Sequence, residues 1–375
     1  VLNMLKKLFN IYYEWWKNID KIIFFLIFFL FLLGLFFSLV STSIIASEKL
    51  NTNSYYFFIK HLIFIAVGSF IFIFLSLLEK KRLIYFCIIF FFLCLFFLAL
   101  VPILGIEVKG SKRWINLGIL PRFQPIELLK PFVIVVLSTL LSTYKIQNLN
   151  FKYLLSFVLI APIIMLLVTQ PDIGQTLLLI LVWLSLIFIS GINLIIFSSF
   201  FLFLGSILSY IVIFIPKFAY IKLRLISFLN PTSGNNYQSE RALEAIINGG
   251  LFGQGIGEGT LNSKVPEAHT DYIISVISEE FGALIVILIM IIYLFLSFKI
   301  MKKIDEETNQ NHKLILLGCL VLILFQTFIH IGVNIRVLPT TGMTLPFLSY
   351  GGSSIISTSI ISGIILNFTK RKINN

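Results

Sequence analysis

The chain has 375 residues, 58% of them hydrophobic and only 12% charged. Soluble globular proteins carry about 25% charged residues, so a cytosolic enzyme, a secreted disulfide scaffold and a disordered chain are excluded. Its 29 Lys and Arg outnumber 17 Asp and Glu, giving a net charge of +12. In an apolar chain that excess reports on membrane topology and lipid contact, not on nucleic acid.

A polar and aromatic lead, 1–21, comes first and reads as a cytoplasmic N-terminal segment. Ten apolar stretches follow, at 22–42, 57–78, 83–104, 127–143, 154–168, 173–190, 194–216, 272–298, 314–334 and 345–369. Most are near the ~20 residues that an α-helix needs to cross a hydrocarbon core of ~30 Å. The first is too long for the apolar region of a cleavable signal. Cys87, Cys94 and Cys319 all fall inside apolar stretches and read as small core residues. With no CxxC pair and four scattered histidines, the sequence holds no structural zinc motif. The expected fold is all-α: a polytopic membrane bundle of about ten transmembrane helices forming a single integral membrane domain over 1–375.

Lys and Arg accumulate in cytoplasmic loops. Lys6, Lys7, Lys17 and Lys21, then Lys80, Lys81 and Arg82, Lys145 and Lys152, Lys299, Lys302, Lys303 and Lys313, and finally Lys370, Arg371 and Lys372 fall on one side of this arrangement. Both termini are therefore expected in the cytoplasm. Two segments on the other side break the bias. One, 105–126, carries Lys109, Lys112, Arg113 and Arg122; the other, the large extracytoplasmic loop 217–270, carries Lys217, Lys222, Arg224, Arg241 and Lys264. Long loops translocate whatever their charge, so one reading is neutral. The other is an anionic ligand at the outer leaflet, since Lys and Arg are the usual donors to phosphate.

At the start of the fourth span, Glu127 and Lys130 are three residues apart and share a helix face. They either pair with each other or extend the cationic mouth of Lys112 and Arg113. Pro171-Asp172 reads as a helix N-terminus. Six glycines between Gly249 and Gly259 form a turn without the strand and βαβ unit of a dinucleotide site; close packing and close approach to a ligand both remain open. The eighth span opens on Pro266-Glu267-Ala268-His269-Thr270-Asp271. A carboxylate there, ionised yet shielded from bulk water, suits a general base, and stabilising a helix N-terminus is the competing use. Glu279 and Glu280 lie about 12 Å further along a continuous helix, one of them expected to face a polar bundle interior. Two prolines and Gly351-Gly352-Ser353-Ser354 near the tenth span predict an interrupted helix or tight helix contact, tolerated only where protein or a wet cavity covers it.

At these segments the sequence resembles the SEDS family (shape, elongation, division and sporulation proteins). The matching stretches are Gly110 to Ile115, Gln124 to Lys130, Gln170 to Gly174, Phe228 to Pro231, Tyr237-Gln238, the glycine-rich turn, Pro266 to Asp271, Glu279 to Gly282 and Leu345 to Ser354. Pro266–Asp271 and Pro339–Ser354 are more like the division member than the elongation member. Val265, Ile126, Asn236 and Arg336 depart from the usual residues, and Asn236 and Arg336 bear on the shape of the outer cavity.

The resemblance implies a peptidoglycan glycosyltransferase that polymerises lipid II into β-1,4 glycan at the outer face of the bacterial cytoplasmic membrane, at the septum. It assigns Asp271 as general base and Lys112, Arg113, Glu127, Lys130, Gln238, His269, Glu280 and Ser349 to substrate binding. It is compatible with a divalent cation (Mg or Mn) on the diphosphate, although no metal-ligand cluster is visible. It implies a class B penicillin-binding protein and other divisome membrane proteins as partners. A lipid II flippase, a recruiting scaffold and the family's elongation polymerase are the alternatives.

Overall fold

The structure is a computed structural model and describes residues 10, 12–49, 55–108, 111–118, 121–143, 148–230, 237–261 and 264–370. Lys6, Lys7, Lys109, Gly110, Lys145, Pro231, Asn236, Arg371 and Lys372 lie outside them.

Among the described residues, eight helices are long and apolar enough to cross a membrane. They are α1 (Lys21–Lys49), α2 (Tyr56–Leu77), α3 (Lys80–Leu104), α4 (Pro125–Ser142), α5 (Leu149–Thr169), α7 (Leu194–Phe214), α11 (Ala283–Glu306) and α12 (Gln310–Asn334). Two shorter apolar helices, α6 (Ile173–Ile189) and α13 (Gly352–Phe368), complete the expected ten. Three further helices, α8 (Ala219–Leu229), α9 (Tyr237–Gly249) and α10 (Ile273–Phe281), belong to the connections.

α4 and α12 are mostly buried and form the centre, whereas α7 is almost wholly exposed. Without a hydrophobic force between helices in lipid, close approach of backbones sets the packing. A Cβ on Gly68 of α2 would come within 2.3 Å of Ser359 Oγ, and one on Gly363 of α13 within 3.0 Å of the Phe72 carbonyl. Two hydroxyls of α13 are absorbed by its own turns: Thr358 donates to the Ser354 carbonyl and Ser362 to that of Thr358, both at 2.7 Å.

The C-terminal end of α13 gathers one face of the molecule. Asn367 Nδ2 donates to the Leu75 carbonyl at 2.9 Å, Lys80 pairs with Glu307 at 3.5 Å and Lys303 with Asp20 at 3.7 Å. These are segments whose Lys and Arg bias predicts the cytoplasmic side. The N-terminal end of α13 opens on a cavity at the other face.

One expectation is corrected. The eighth span does not run through 272–298: Gly282, at φ 84°, separates α10 from α11. Glu279 and Glu280 therefore sit on a short connecting helix and not deep in a span. The all-α fold class holds, with one small addition. A small antiparallel hairpin, β1 (Ile106–Val108) with β2 (Ser111–Trp114), follows α3 and sets Glu107 opposite Lys112.

Candidate active site

Irregular backbone builds a cavity of about 610 Å³ at this face. Its lining comes from the hairpin, the starts of α4, α9 and α13, the turn before α6, α8, and the segments 267–272 and 340–344. Asp271 lies on this wall, half-buried, in a turn wound around one acceptor: the amides of Thr270 and Asp271 both donate to the Glu267 carbonyl at 3.1 Å. From behind, the fully buried Asn334 donates through Nδ2 to the Asp271 carbonyl at 3.1 Å and to that of His330 at 2.8 Å, while its Oδ1 accepts from Ser275 Oγ at 2.8 Å. Gly342, at φ 69°, passes so close that a Cβ there would lie 3.4 Å from Asp271 Oδ2. Burial, and then the Asp271 carboxylate, raises the Tyr272 phenol above its ordinary range.

Arg113 occupies the wall formed by β2. Its guanidinium donates to the Gln170 carbonyl at 3.2 Å and to the Pro171 carbonyl, and stands 3.7 Å from Asp172. Asp172 caps α6, as expected, by accepting from the Gln175 amide, and also accepts from Gln124 Nε2 at 2.9 Å. Burial raises its carboxyl above the ordinary range, and Arg113 pulls it back.

Beneath the cavity the pairing reading of Glu127 and Lys130 holds. Lys130 Nζ is 2.9 Å from Glu127 Oε2 and 3.2 Å from Gln326 Oε1, and Gln175 Nε2 donates to Glu127 Oε1 at 2.6 Å. Gln326 Nε2 in turn donates to the Thr344 carbonyl at 2.9 Å.

Of the residues nominated from sequence, Arg113, Glu127, Gln238 and Asp271 line the cavity. The others take different places. Lys112 is exposed on β2, outside the lining. Lys130 is fully buried below it. The His269 ring packs on Phe57 at 5.1 Å and on Tyr350 at 5.7 Å. Ser349 Oγ donates to the Thr270 carbonyl at 2.7 Å and accepts from the Leu345 amide at 2.8 Å, tying the 345–350 loop to the Asp271 turn. The Glu280 carboxylate accepts from the Gly257 amide at 3.5 Å, so it serves the glycine-rich turn. Glu279, also expected to need a polar neighbour, accepts from Asn248 Nδ2 at 3.0 Å and the Leu261 amide at 2.9 Å.

Three contributors were not nominated. Arg224, on α8, lines the cavity and donates to the Thr340 carbonyl at 3.3 Å; its only sequence signal was membership in the unusually basic segment 217–270. Glu267 also lines the cavity, and Asn334 holds Asp271 without reaching it.

A bundle of apolar helices with a polar, cation- and carboxylate-bearing cavity at one face defines a multi-pass membrane protein. The chain belongs to the cell cycle protein family of FtsW, RodA and SpoVE, which matches residues 20–374. It is 31% identical to the probable peptidoglycan glycosyltransferase FtsW of Wigglesworthia glossinidia brevipalpis, over 100% of this chain and 98% of that protein. It is 33% identical to the FtsW similarly named in Coxiella burnetii, over 87% and 90% of the two. Among solved structures, a chain of a peptidoglycan synthase complex that coordinates polymerization and crosslinking superposes with a TM-score of 0.76 at 26% identity, covering 94% of this chain and 97% of that one. The rod shape determining protein RodA of Thermus thermophilus gives 0.69 at 25% identity, with the same coverage.

Proposed function

We propose that this chain is a peptidoglycan glycosyltransferase that polymerises lipid II into β-1,4 glycan during septal wall synthesis, with Asp271 as general base. The observation that carries the reading is the carboxylate of Asp271 in a cavity whose walls bear Arg113 and Arg224. The acceptor sugar's 4-hydroxyl attacks the donor's anomeric carbon, and its proton passes to Asp271. The bond from that carbon to the diphosphate oxygen breaks, and undecaprenyl diphosphate leaves with the electron pair. Attack opposite the leaving group converts the α-linked diphosphate into a β-glycosidic bond. The arginines stabilise the charge that develops on the diphosphate.

Glu127, Lys130 and Gln326 hold the floor in shape, Ser349 and Asn334 fix the Asp271 turn, and Gln238 and His269 lie at or beside the rim. Among the described residues no three His, Cys, Asp or Glu side chains could hold a metal ion together. A divalent cation, Mg or Mn, if it entered with the substrate, would neutralise charge on the diphosphate, and no step above depends on it. The reading places the cavity outside and both termini inside, following the Lys and Arg bias. It also expects a class B penicillin-binding protein to supply crosslinking; the resemblance to a chain from a peptidoglycan synthase complex supports this.

The test is polymerisation of lipid II by the purified protein with such a partner. Asp271→Ala should lower the rate by about 10²–10⁴-fold, the range of general-base contributions, while the protein remains folded. Undiminished polymerisation by that variant overturns the assigned base. Transfer of lipid II between leaflets without glycan formation by the wild-type protein overturns the enzyme reading in favour of a transporter.

A further inference from the structure

The glycine-rich turn between α9 and α10 supplies no residue to the cavity lining. Four of its glycines, Gly250, Gly253, Gly255 and Gly257, have positive φ, which lets the chain curl tightly. The turn is stapled to the α10–α11 junction. The Gln254 amide donates to the Glu279 carbonyl at 2.8 Å and the Gly255 amide to that of Glu280 at 3.1 Å. In return, the Ala283 amide donates to the Gly250 carbonyl at 3.0 Å and the Leu284 amide to that of Leu251 at 3.3 Å. A Cβ on Gly253 would lie 2.3 Å from the Glu280 carbonyl oxygen. The backbone is thus rigidly placed, yet Leu251, Phe252 and Ile256 stand 62%, 81% and 64% exposed.

Their depth follows from α11. Lys302 is nineteen residues beyond Ala283, so at 1.5 Å per residue about 28 Å separates them, close to the thickness of a hydrocarbon core. Lys303, paired with Asp20, marks the far headgroup layer. Ala283, and the turn stapled to it, then falls at the boundary of the leaflet on the cavity side.

The exposed face of α11 continues onto the turn. Leu284, Ile287, Leu288, Ile291, Leu294, Phe295 and Phe298 are exposed at helical spacing, and Leu284 is the residue bonded to Leu251. Every member is large. Helices that meet closely in a membrane do so through small residues, so this stripe suits acyl chains better than a partner helix.

We infer that the turn is a membrane wedge, with Leu251, Phe252 and Ile256 inserted among the acyl chains of the cavity-side leaflet. It shares a scaffold with the cavity. α9, which ends at the turn, begins at the rim with Gln238, and Glu279, whose carbonyl receives Gln254, also holds the Leu261 amide. The wedge therefore keeps the cavity at headgroup depth. It rests on the membrane-spanning fold and not on the assigned chemistry, so loss of either reading leaves the other intact.

The experiment places a cysteine at 252, 258 or 284 (Phe252→Cys, Glu258→Cys, Leu284→Cys) in the full chain and labels it with the fluorophore NBD. Cys87, Cys94 and Cys319 are buried and stay unlabelled. In phosphatidylethanolamine–phosphatidylglycerol vesicles, the label at 252 should emit at shorter wavelength than the label at 258. It should lose most of its fluorescence to lipids carrying a nitroxide near the ester carbonyl, as the label at 284 does, and resist aqueous iodide. The label at 258 should behave in the opposite way. Iodide quenching at 252 as strong as at 258 overturns the wedge. So does a label at 252 that iodide reaches in the protein alone and that becomes shielded only when the penicillin-binding partner is added, which would assign the patch to a protein.

Discussion

Asn334→Ala isolates what holding Asp271 in place contributes. The substitution removes three hydrogen bonds, to the carbonyls of Asp271 and His330 and from Ser275 Oγ, at a site with no solvent exposure. A net bond contributes about 1 kcal/mol, and a buried group left without its partner costs about 1–3 kcal/mol. A total near 2–4 kcal/mol is therefore expected, divided between global stability and the position of the Asp271 turn. A misplacement of about 1 Å can cost 10²-fold in rate. With the turn otherwise held by the Glu267 carbonyl and by Ser349 through Thr270, kcat should fall about 10- to 100-fold with KM nearly unchanged. Asn334→Asp separates donation from packing, because it keeps the shape and the acceptor for Ser275 but turns an oxygen toward two carbonyls. It should be as slow as the alanine variant. The assay is lipid II polymerisation below the melting transition of each variant, with melting followed in detergent. Full kcat in either variant, while folded, refutes the positioning role.

Lys130→Met leaves the Glu127 carboxylate buried without its cation and should destabilise the protein by about 3–5 kcal/mol, whereas adding Glu127→Gln should restore much of that loss. Thermal melting of the single and double variants checks this, and equal destabilisation in both would show that the pair is not coupled. Arg224→Ala should raise KM for lipid II about 10- to 150-fold, the scale of one charge-assisted hydrogen bond of about 1.5–3 kcal/mol, with a smaller effect on kcat. An unchanged KM would remove Arg224 from substrate binding.

The spans were legible because twenty-residue apolar blocks have few alternative uses; the short α6 fell where the hydropathy placed it, whereas α13 starts only at Gly352, seven residues into its apolar stretch. Asp271 was legible for a different reason: an ionisable group at the edge of an apolar run stands out. The break at Gly282 was not: Glu279 and Glu280 interrupt the apolar run just before it, but buried charges also suit a polar bundle interior, and an isolated glycine does not by itself end a helix. The hairpin escaped because strands of three and four residues carry almost no periodic signal. For Glu127 and Lys130 the spacing showed both outcomes, ligand or pair, and only the packing of Gln175 and Gln326 around them selects the pair. Asn334 is 63 residues from Asp271, and no local pattern joins positions that meet only when α12 packs against the Asp271 turn.

The positive character of the cavity cannot come mainly from the cations that the sequence made conspicuous. Lys130 is matched by Glu127 at 2.9 Å, and Arg113 is engaged by two carbonyls and Asp172. Two unit charges about 4 Å apart attract by about 4 kcal/mol near a protein surface, so each of these groups presents an incoming anion with a dipole, not a full charge. Four helices, α4, α6, α9 and α13, begin at the cavity, and each N-terminus carries roughly half a positive charge. Asp172 caps α6, while Glu127 and Glu240 occupy the first turns of α4 and α9. The first turn of α13 has no acidic residue and no side-chain cap, and Gly351, Ser353 and Ser354 bring it into the lining. The start of α13 therefore adds positive field to a cavity wall that also carries Arg224, where the proposed function places the diphosphate. Arg113, weakened but not cancelled by its partners, adds to that field from the wall, while Lys130, paired with Glu127, keeps the floor in shape.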